Sequence, residues 1–320
     1  MSTKLASFPG LSVVIPVYNG ALTLPILVAR LAKTLPALTD SYELILVDDG
    51  SPDSSWEKIQ SLSRENQWVH GIRLMRNFGQ HNALLCGVRA ANNEIIITMD
   101  DDLQHPPEEI HKLIEKLGDE YDVVYGVPAH LPHSFFRNLL SQLTKRILAF
   151  VMGIPSVREI GAFRAFRSKI IRAFTTYQSP SLILDVLLSW GTTRFTSTPV
   201  EESPRQEGQS NYNFRQLAQQ AFLILTGYST APLRFASTLG FFLTLVGVGV
   251  FIYVIIAYFA AGSIPGFPFL ASLIALFSGT QMFALGIFGE YLARIFDRSM
   301  DRPTYIIENT TDSVQSGQIL

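Results

Sequence analysis

Asp100, Asp101 and Asp102 follow one another in Met99-Asp100-Asp101-Asp102-Leu103-Gln104-His105-Pro106-Pro107, directly after a short β-branched run. Three adjacent carboxylates repel one another strongly unless a cation shares the site. Asp100 and Asp102 can bracket one hard divalent ion together with the oxygens of a diphosphate. Mg²⁺ accepts such a site, because it keeps some waters and needs few protein carboxylates. The ion would neutralise charge that grows on a departing nucleoside diphosphate. The same triplet also suits the N-terminal end of a helix, where the dipole favours acids, so taken alone it leaves both explanations open. His105 does not argue for zinc, since no second His or Cys stands at a matching spacing.

A second acidic pair, Asp48-Asp49, lies in Leu46-Val47-Asp48-Asp49-Gly50-Ser51. An acid that ends a second strand can accept hydrogen bonds from a base or a ribose. Asp-Asp-Gly-Ser is equally an ordinary turn. Pro16-Val17-Tyr18-Asn19-Gly20 stands where a dinucleotide-binding chain would carry G-x-G-x-x-G, which disfavours an oxidoreductase.

These groups need elements to hold them. Residues 11–17, 42–47, 69–74, 94–99 and 122–125 have the pattern of buried strands; 22–35, 54–64, 80–91 and 107–117 have that of helices. Asp53 or Ser54 can cap the second helix, and Pro107 suits the first turn of the fourth. Such alternation predicts an α/β fold with a mostly parallel sheet covered on both faces. Ligands bind at the carboxyl ends of such strands. Tyr18-Asn19, Asp48-Asp49 and Asp100 to Asp102 all fall there.

Beyond this region the character of the chain changes. Residues 135–152 predict an amphipathic helix, and 213–234 a juxtamembrane one. From Phe235 to Gly289 there is no Asp, Glu, Lys or Arg. That exceeds the roughly 20 residues that one membrane span needs. Prolines and glycines interrupt it at 262–268, so two transmembrane helices are expected, 235–261 and 269–289, with a tail over 290–320. Arg234 precedes the first span, Arg294, Arg298 and Arg302 follow the second, and the connecting turn has no basic residue. The positive-inside rule then puts both ends in the cytoplasm. Ala275 and Gly279 permit helix packing and hence a homo-oligomer.

Composition narrows the function classes. The formal net charge of −2 argues against nucleic-acid binding, which needs a basic surface. Cys86 is the single cysteine, which excludes an intramolecular disulfide and fits a reducing compartment. No cleavable signal is expected, because the apolar run at 12–17 is short and broken by Pro16.

In this order the motifs resemble the family-two glycosyltransferases of GT-A fold. The likeness lies in 12–19 (SVVIPVYN), 46–53 (LVDDGSPD), 76–87 (RNFGQHNALLCG) and 99–108. It continues through Arg164-Ala165-Phe166 and 205–212 (RQEGQSNY) to the paired spans and Gly289-Glu290-Tyr291. Within the family the chain looks most like polyprenyl-phosphate glycosyltransferases, which include dolichol-phosphate mannose synthases and bactoprenol glucosyltransferases. Arg76 to His81, Arg164 to Phe166 and Thr230 to Arg234 look especially like undecaprenyl-phosphate aminoarabinose transferases.

The resemblance implies a GT-A domain over 1–212 on the cytoplasmic side of a bacterial inner membrane. Its partners would be a UDP- or GDP-sugar donor and a polyprenyl (undecaprenyl) phosphate acceptor, and its cofactor Mg²⁺ or Mn²⁺. Pro16, Tyr18 and Asn19 would frame the base and Asp48 would bond to it. Asp100, Asp102 and Gln104 would hold the metal and the donor diphosphate, with Asp102 essential to catalysis. Arg164 and Arg205 would bind phosphates, for which the guanidinium fork suits. Ser210 and Tyr212 would belong, with Gly208, to a loop that closes over the site. Glu159 stands where relatives often carry Asp near the acceptor. Three positions depart from the pattern: Gly20 for a frequent Glu, Asp101 for a usually small Ala, and Asn211 for a frequent Lys.

A phosphate monoester has a second pKa near about 6, so a lipid phosphate is largely ionised at neutral pH and needs no strong base to attack an anomeric carbon. Glu159 is then expected to orient rather than to deprotonate. The alternatives are a processive polysaccharide synthase, a glycolipid synthase, or a membrane scaffold that binds nucleotide sugar without turning it over. Processive relatives usually carry Q-x-x-R-W, but no Trp here follows an Arg. Replacing Arg205 should lower turnover by roughly 10²-fold if it stabilises developing charge. An unchanged rate in a steady-state assay would reduce it to a surface pairing.

Overall fold

The computed structural model describes residues 8–129, 161–178, 182–201, 226–261 and 266–311. The predicted amphipathic helix at 135–152, Glu159, Arg205, Ser210, Tyr212 and the first part of the 213–234 segment lie outside the described residues. By compactness the chain divides into one unit of 1–213 with 301–320 and a second of 214–300.

In the first unit the expected alternation is present. It runs β1 (Leu11–Val17), α1 (Leu24–Leu38), β2 (Tyr42–Asp48), α2 (Ser55–Glu65), β3 (Val69–Leu74), α3 (Gln80–Ala90) and β4 (Ile95–Thr98). A 3₁₀ turn (Pro107–Glu109) then leads into α4 (Ile110–Leu117), and β5 (Val123–Pro128) follows. β6 (Arg164–Arg167), α5 (Ser168–Arg172), α6 (Leu184–Gly191) and β7 (Phe195–Val200) complete the run before the second unit. All seven residues of β1 are buried, as a central strand covered on both faces requires. α1 continues past Pro36, where a proline would normally end it. Leu35 and Leu38 are buried there, and the Thr39 N–H still reaches the Leu35 carbonyl at 3.1 Å.

The strands form one sheet in the order β7-β5-β6-β4-β1-β2-β3-β8. β1 pairs parallel with both β2 and β4, and β2 with β3. β6 enters antiparallel between β4 and β5. β8 (Ile307–Thr310) forms the far edge, antiparallel to β3. No element was expected in 290–320, so this return of the chain to the sheet is a finding of the structure.

The crossing from β3 to β4 passes over β1, which makes the carboxyl ends of β1 and β4 the switch point of the sheet. Pairing between them stops at Val14 with Thr98. Pro16 explains why this is tolerated. Leu11 donates its N–H to Ser41 on the β2 side at 2.9 Å, so by strand alternation the Pro16 nitrogen faces the β4 side. It lies beyond the last paired residue, where its missing N–H costs no ladder bond.

Arg164 on β6 is 1% exposed. Its Nε donates to Thr98 Oγ1 at 2.9 Å, and its Nη1 pairs with Asp185 on α6. The Tyr125 hydroxyl donates to the same carboxylate at 2.7 Å. Burial opposes ionisation of Asp185, but the Arg164 charge outweighs it and holds the carboxyl below the ordinary 3.8. The phosphate-binding role expected of Arg164 thus meets a different environment. Its guanidinium is committed to an interior ion pair, and a charge withdrawn from such a pair is left desolvated.

In the second unit, α7 (Ala231–Ala261) and α8 (Phe267–Ser299) are 31 and 33 residues long. α7, with a mean hydropathy of 2.6, is long and apolar enough to cross a membrane. The two helices touch where a Cβ on Gly247 would stand 3.2 Å from the Phe277 ring. The Tyr291 hydroxyl donates to the Ser229 carbonyl at 2.6 Å, which ties the end of α8 to the segment before α7.

Asp185→Asn should destabilise the first unit by roughly 3–5 kcal/mol, because it leaves the buried guanidinium uncompensated. The wild type's advantage should be complete above pH 3.8 and be lost as the pH falls through the lower folded value. Chemical denaturation of both proteins in detergent at pH 7 and pH 3 measures it; an equal deficit at both pH values would remove the pair from the account.

Candidate active site

A cavity of about 300 Å³ opens at the switch point, lined by Pro16, Val17, Tyr18, Asp49, Asn77, Gly79, Gln80, Asp100, Asp101 and Asp102. Of the residues expected at the site, Pro16, Tyr18, Asp100 and Asp102 share it. Tyr18 presents a half-exposed ring, 50% accessible, at the mouth. Asn19 is exposed in the turn beyond, in the left-handed region at φ 59°, with its N–H on Ser51 Oγ at 3.1 Å.

Asp48 and Gln104 are not in the lining. Asp48 is fully buried, and its Oδ1 accepts from the Ser51 N–H at 3.0 Å. Its Oδ2 lies 3.5 Å from Arg73 Nε without hydrogen-bonding geometry. Desolvation raises the Asp48 pKa above 3.8, against the bonds from Ser51 and the charge of Arg73. Arg73 Nε also lies 3.2 Å from Glu308 on β8. Gln104 contributes its backbone N–H, which donates to Asp102 Oδ1 at 3.1 Å.

The neighbouring Asp49 has a role that the sequence reading missed. Its two oxygens accept the N–H groups of Phe78 at 2.7 Å and Gly79 at 2.8 Å. It therefore holds the loop before α3 against the cavity. Asp48 is the last residue of β2 and Asp49 the first beyond it, and their carboxylates serve different backbone donors. Gly50 makes the close approach feasible: its φ is 67°, and a Cβ there would stand 2.6 Å from the Arg76 carbonyl carbon. Gln80, from the same motif, donates through Nε2 to Asp100 Oδ1 at 2.7 Å. The signal for it is the segment 76–81, which carries part of the family likeness.

The triplet closes on Leu103, which sits in the left-handed region at φ 61°. That conformation is unusual for a branched residue and costs about 1–3 kcal/mol; the burial of its side chain in the core holds it. The turn directs the chain back immediately after Asp102. Burial first, and then the charges of Asp100 and Asp102, push the Asp101 pKa up to about 7. The field at the strand end is therefore strongly negative.

A divalent cation fits this chemistry. Asp100 and Asp102 open onto one cavity, and a cation would relieve the field that perturbs Asp101. Among the described residues no group of three His, Cys, Asp or Glu side chains forms a ready-made metal site. Two carboxylates suit an ion that shares its remaining positions with phosphate oxygens and water. His105 stacks on Phe163 with ring centroids 5.2 Å apart.

Comparison with known proteins gives the arrangement a family. The model of glycosyl transferase family 2 matches residues 12–175. An undecaprenyl-phosphate 4-deoxy-4-formamido-L-arabinose transferase of Shewanella sediminis (strain HAW-EB3) is 35% identical over 303 residues, 93% of this chain and 91% of its own. One of the same description from Enterobacter sp. (strain 638) is 33% identical over 311 residues, 96% of this chain and 95% of its own. Among solved structures, the mannosyltransferase PcManGT from Pyrobaculum calidifontis, in complex with GDP-Man and Mn²⁺, superposes with a TM-score of 0.51. It is 18% identical over 93% of this chain and 89% of that one, a likeness of fold.

Asp49→Ala should weaken nucleotide binding and lower stability by about 1.5–3 kcal/mol, because two backbone donors lose a charged acceptor. Melting temperature and UDP affinity measured together check this; a change in neither would detach the loop from the site. The sheet, its acidic switch point and these matches lead to one conclusion: the chain belongs to glycosyl transferase family 2 and is a glycosyltransferase with a GT-A-like α/β fold.

Proposed function

We propose that the protein moves a monosaccharide from a UDP- or GDP-sugar to undecaprenyl phosphate at the cytoplasmic face of a bacterial membrane, within cell-envelope glycan synthesis. The observation that carries this is the extent of the match. Relatives named as undecaprenyl-phosphate transferases align over more than nine-tenths of this chain, through the α/β unit and both long helices. α7 and α8 support the membrane placement. Phe241, Phe251, Tyr253, Phe259, Met282, Leu285 and Phe288 are exposed along them, a surface that suits lipid rather than water.

The cavity supplies the donor side. Pro16 and Tyr18 frame the base, with Asn19 and the buried Asp48 behind them. Asp100 and Asp102, with Gln104 bracing Asp102, would hold Mg²⁺ or Mn²⁺; the ion, when bound, offsets the charge gathering on the leaving diphosphate. Gln80 fixes Asp100, and Asp49 fixes the loop above it. A phosphate oxygen of the acceptor attacks the anomeric carbon, the carbon–oxygen bond to the nucleoside diphosphate breaks, and the configuration inverts. Because the acceptor is already ionised, this chain needs chiefly to position and to stabilise charge. Glu159 then orients the acceptor, and Arg205, Ser210 and Tyr212 close on the phosphates. Arg164 supports the end of β4 from within the core.

Nucleoside diphosphate release from UDP- and GDP-sugars, measured with and without undecaprenyl phosphate in Mg²⁺ or Mn²⁺, tests the reading. Release should require the acceptor, and Asp102→Ala should abolish it. Release independent of acceptor would count against lipid transfer, and near-normal turnover in the variant would refute the metal role.

A further inference from the structure

We propose that Asp101 is a positioning residue: its side chain occupies the volume left open by Gly20, and so locks the Tyr18–Gly20 turn to the strand end that carries Asp100 and Asp102. The inference rests on the reading of the cavity as a nucleotide and metal site. Gly20 is buried and its φ is not positive, so its backbone makes no demand for glycine. Space makes the demand. A Cβ at position 20 would lie 2.4 Å from Asp101 Oδ2, 3.1 Å from Val17 Cγ1 and 3.3 Å from Asp101 Cγ. The carboxyl of residue 101 therefore fills the place where any other side chain at position 20 would begin.

That oxygen is buried and accepts no hydrogen bond. A polar atom is left so only where packing compels it. The turn is also anchored to the loop after β2 and to the first residue of α2. Asn19 donates to Ser51 Oγ at 3.1 Å, Gly20 to Ser55 Oγ at 2.9 Å, and Ala21 to Asp53 Oδ2 at 3.3 Å. The turn is thus clamped between that loop and Asp101. Tyr18 on one jaw and the two flanking carboxylates on the other line the same cavity. The clamp sets the separation of the group that faces the base from the groups that face the cation. Gly20 and Asp101, two separate departures from the family pattern, meet at one point. An acid at 101 needs glycine at 20.

A double-mutant cycle on the full chain in detergent tests this, with UDP and GDP binding in MnCl₂ measured by calorimetry and melting temperature measured without ligand. Gly20→Ala should lower the melting temperature and weaken nucleotide binding about tenfold, since its methyl group displaces the carboxyl. The double variant Gly20→Ala with Asp101→Ala should bind more tightly and melt higher than Gly20→Ala alone. Asp101→Asn, which keeps the shape, should recover most of what Asp101→Ala loses. A double variant no better than Gly20→Ala, or Asn no better than Ala at 101, would overturn the proposal. Should Gly20→Ala fail to fold, the comparison of Asn with Ala at 101 decides alone. A wild type that binds neither nucleotide would overturn the functional reading instead, and the ligand-free melting temperatures would still decide the interlock.

Discussion

Asp100, Asp101 and Asp102 leave β4 with no residue between them, and each carboxyl is accommodated differently. Asp100 takes a hydrogen bond from Gln80, and Asp102 takes one from the Gln104 backbone. Asp101 lies against Gly20. The repulsion among them shows in the raised pKa of Asp101, and the surroundings shape the space they face. Leu103 in a left-handed conformation, Pro16 beyond the last rung between β1 and β4, and Gly50 against the Arg76 backbone all shape one opening. Each is a local concession that a packed core alone would not require.

Two arginines of the sheet are engaged with acids. Arg164 lies behind β4 but is bound to Asp185 and Thr98. Arg73 lies between Asp48 on β2 and Glu308 on β8. Through that second arginine the chain that follows the long apolar helices bears on the residue expected to meet the base. β8 also closes the exposed edge of β3, and Thr311 accepts the Gly71 N–H through its hydroxyl at 2.9 Å. Edge strands without such cover invite pairing with other chains.

Much of this was legible from the order of residues. β1 and β3 end where the alternation predicts, and the acidic triplet falls at a strand end because β-branched runs are local signals. Non-local partners were not. Arg164 finds Asp185 across 21 residues, and nothing in either segment shows which charges will be buried together. β8 pairs with β3 from the far side of two long helices, so its strand has no neighbour in sequence to announce it. Asp48 and Asp49 could not be told apart by type; only the fold assigns one to the interior and the other to the loop.

The division of labour follows from the ionisation of the partners in the proposed reaction. An acceptor phosphate that is already an anion is repelled by the same acidic strand end that a nucleotide's cation requires. A cation held by Asp100 and Asp102 would lessen that repulsion, beside the phosphate-binding role proposed for Arg205.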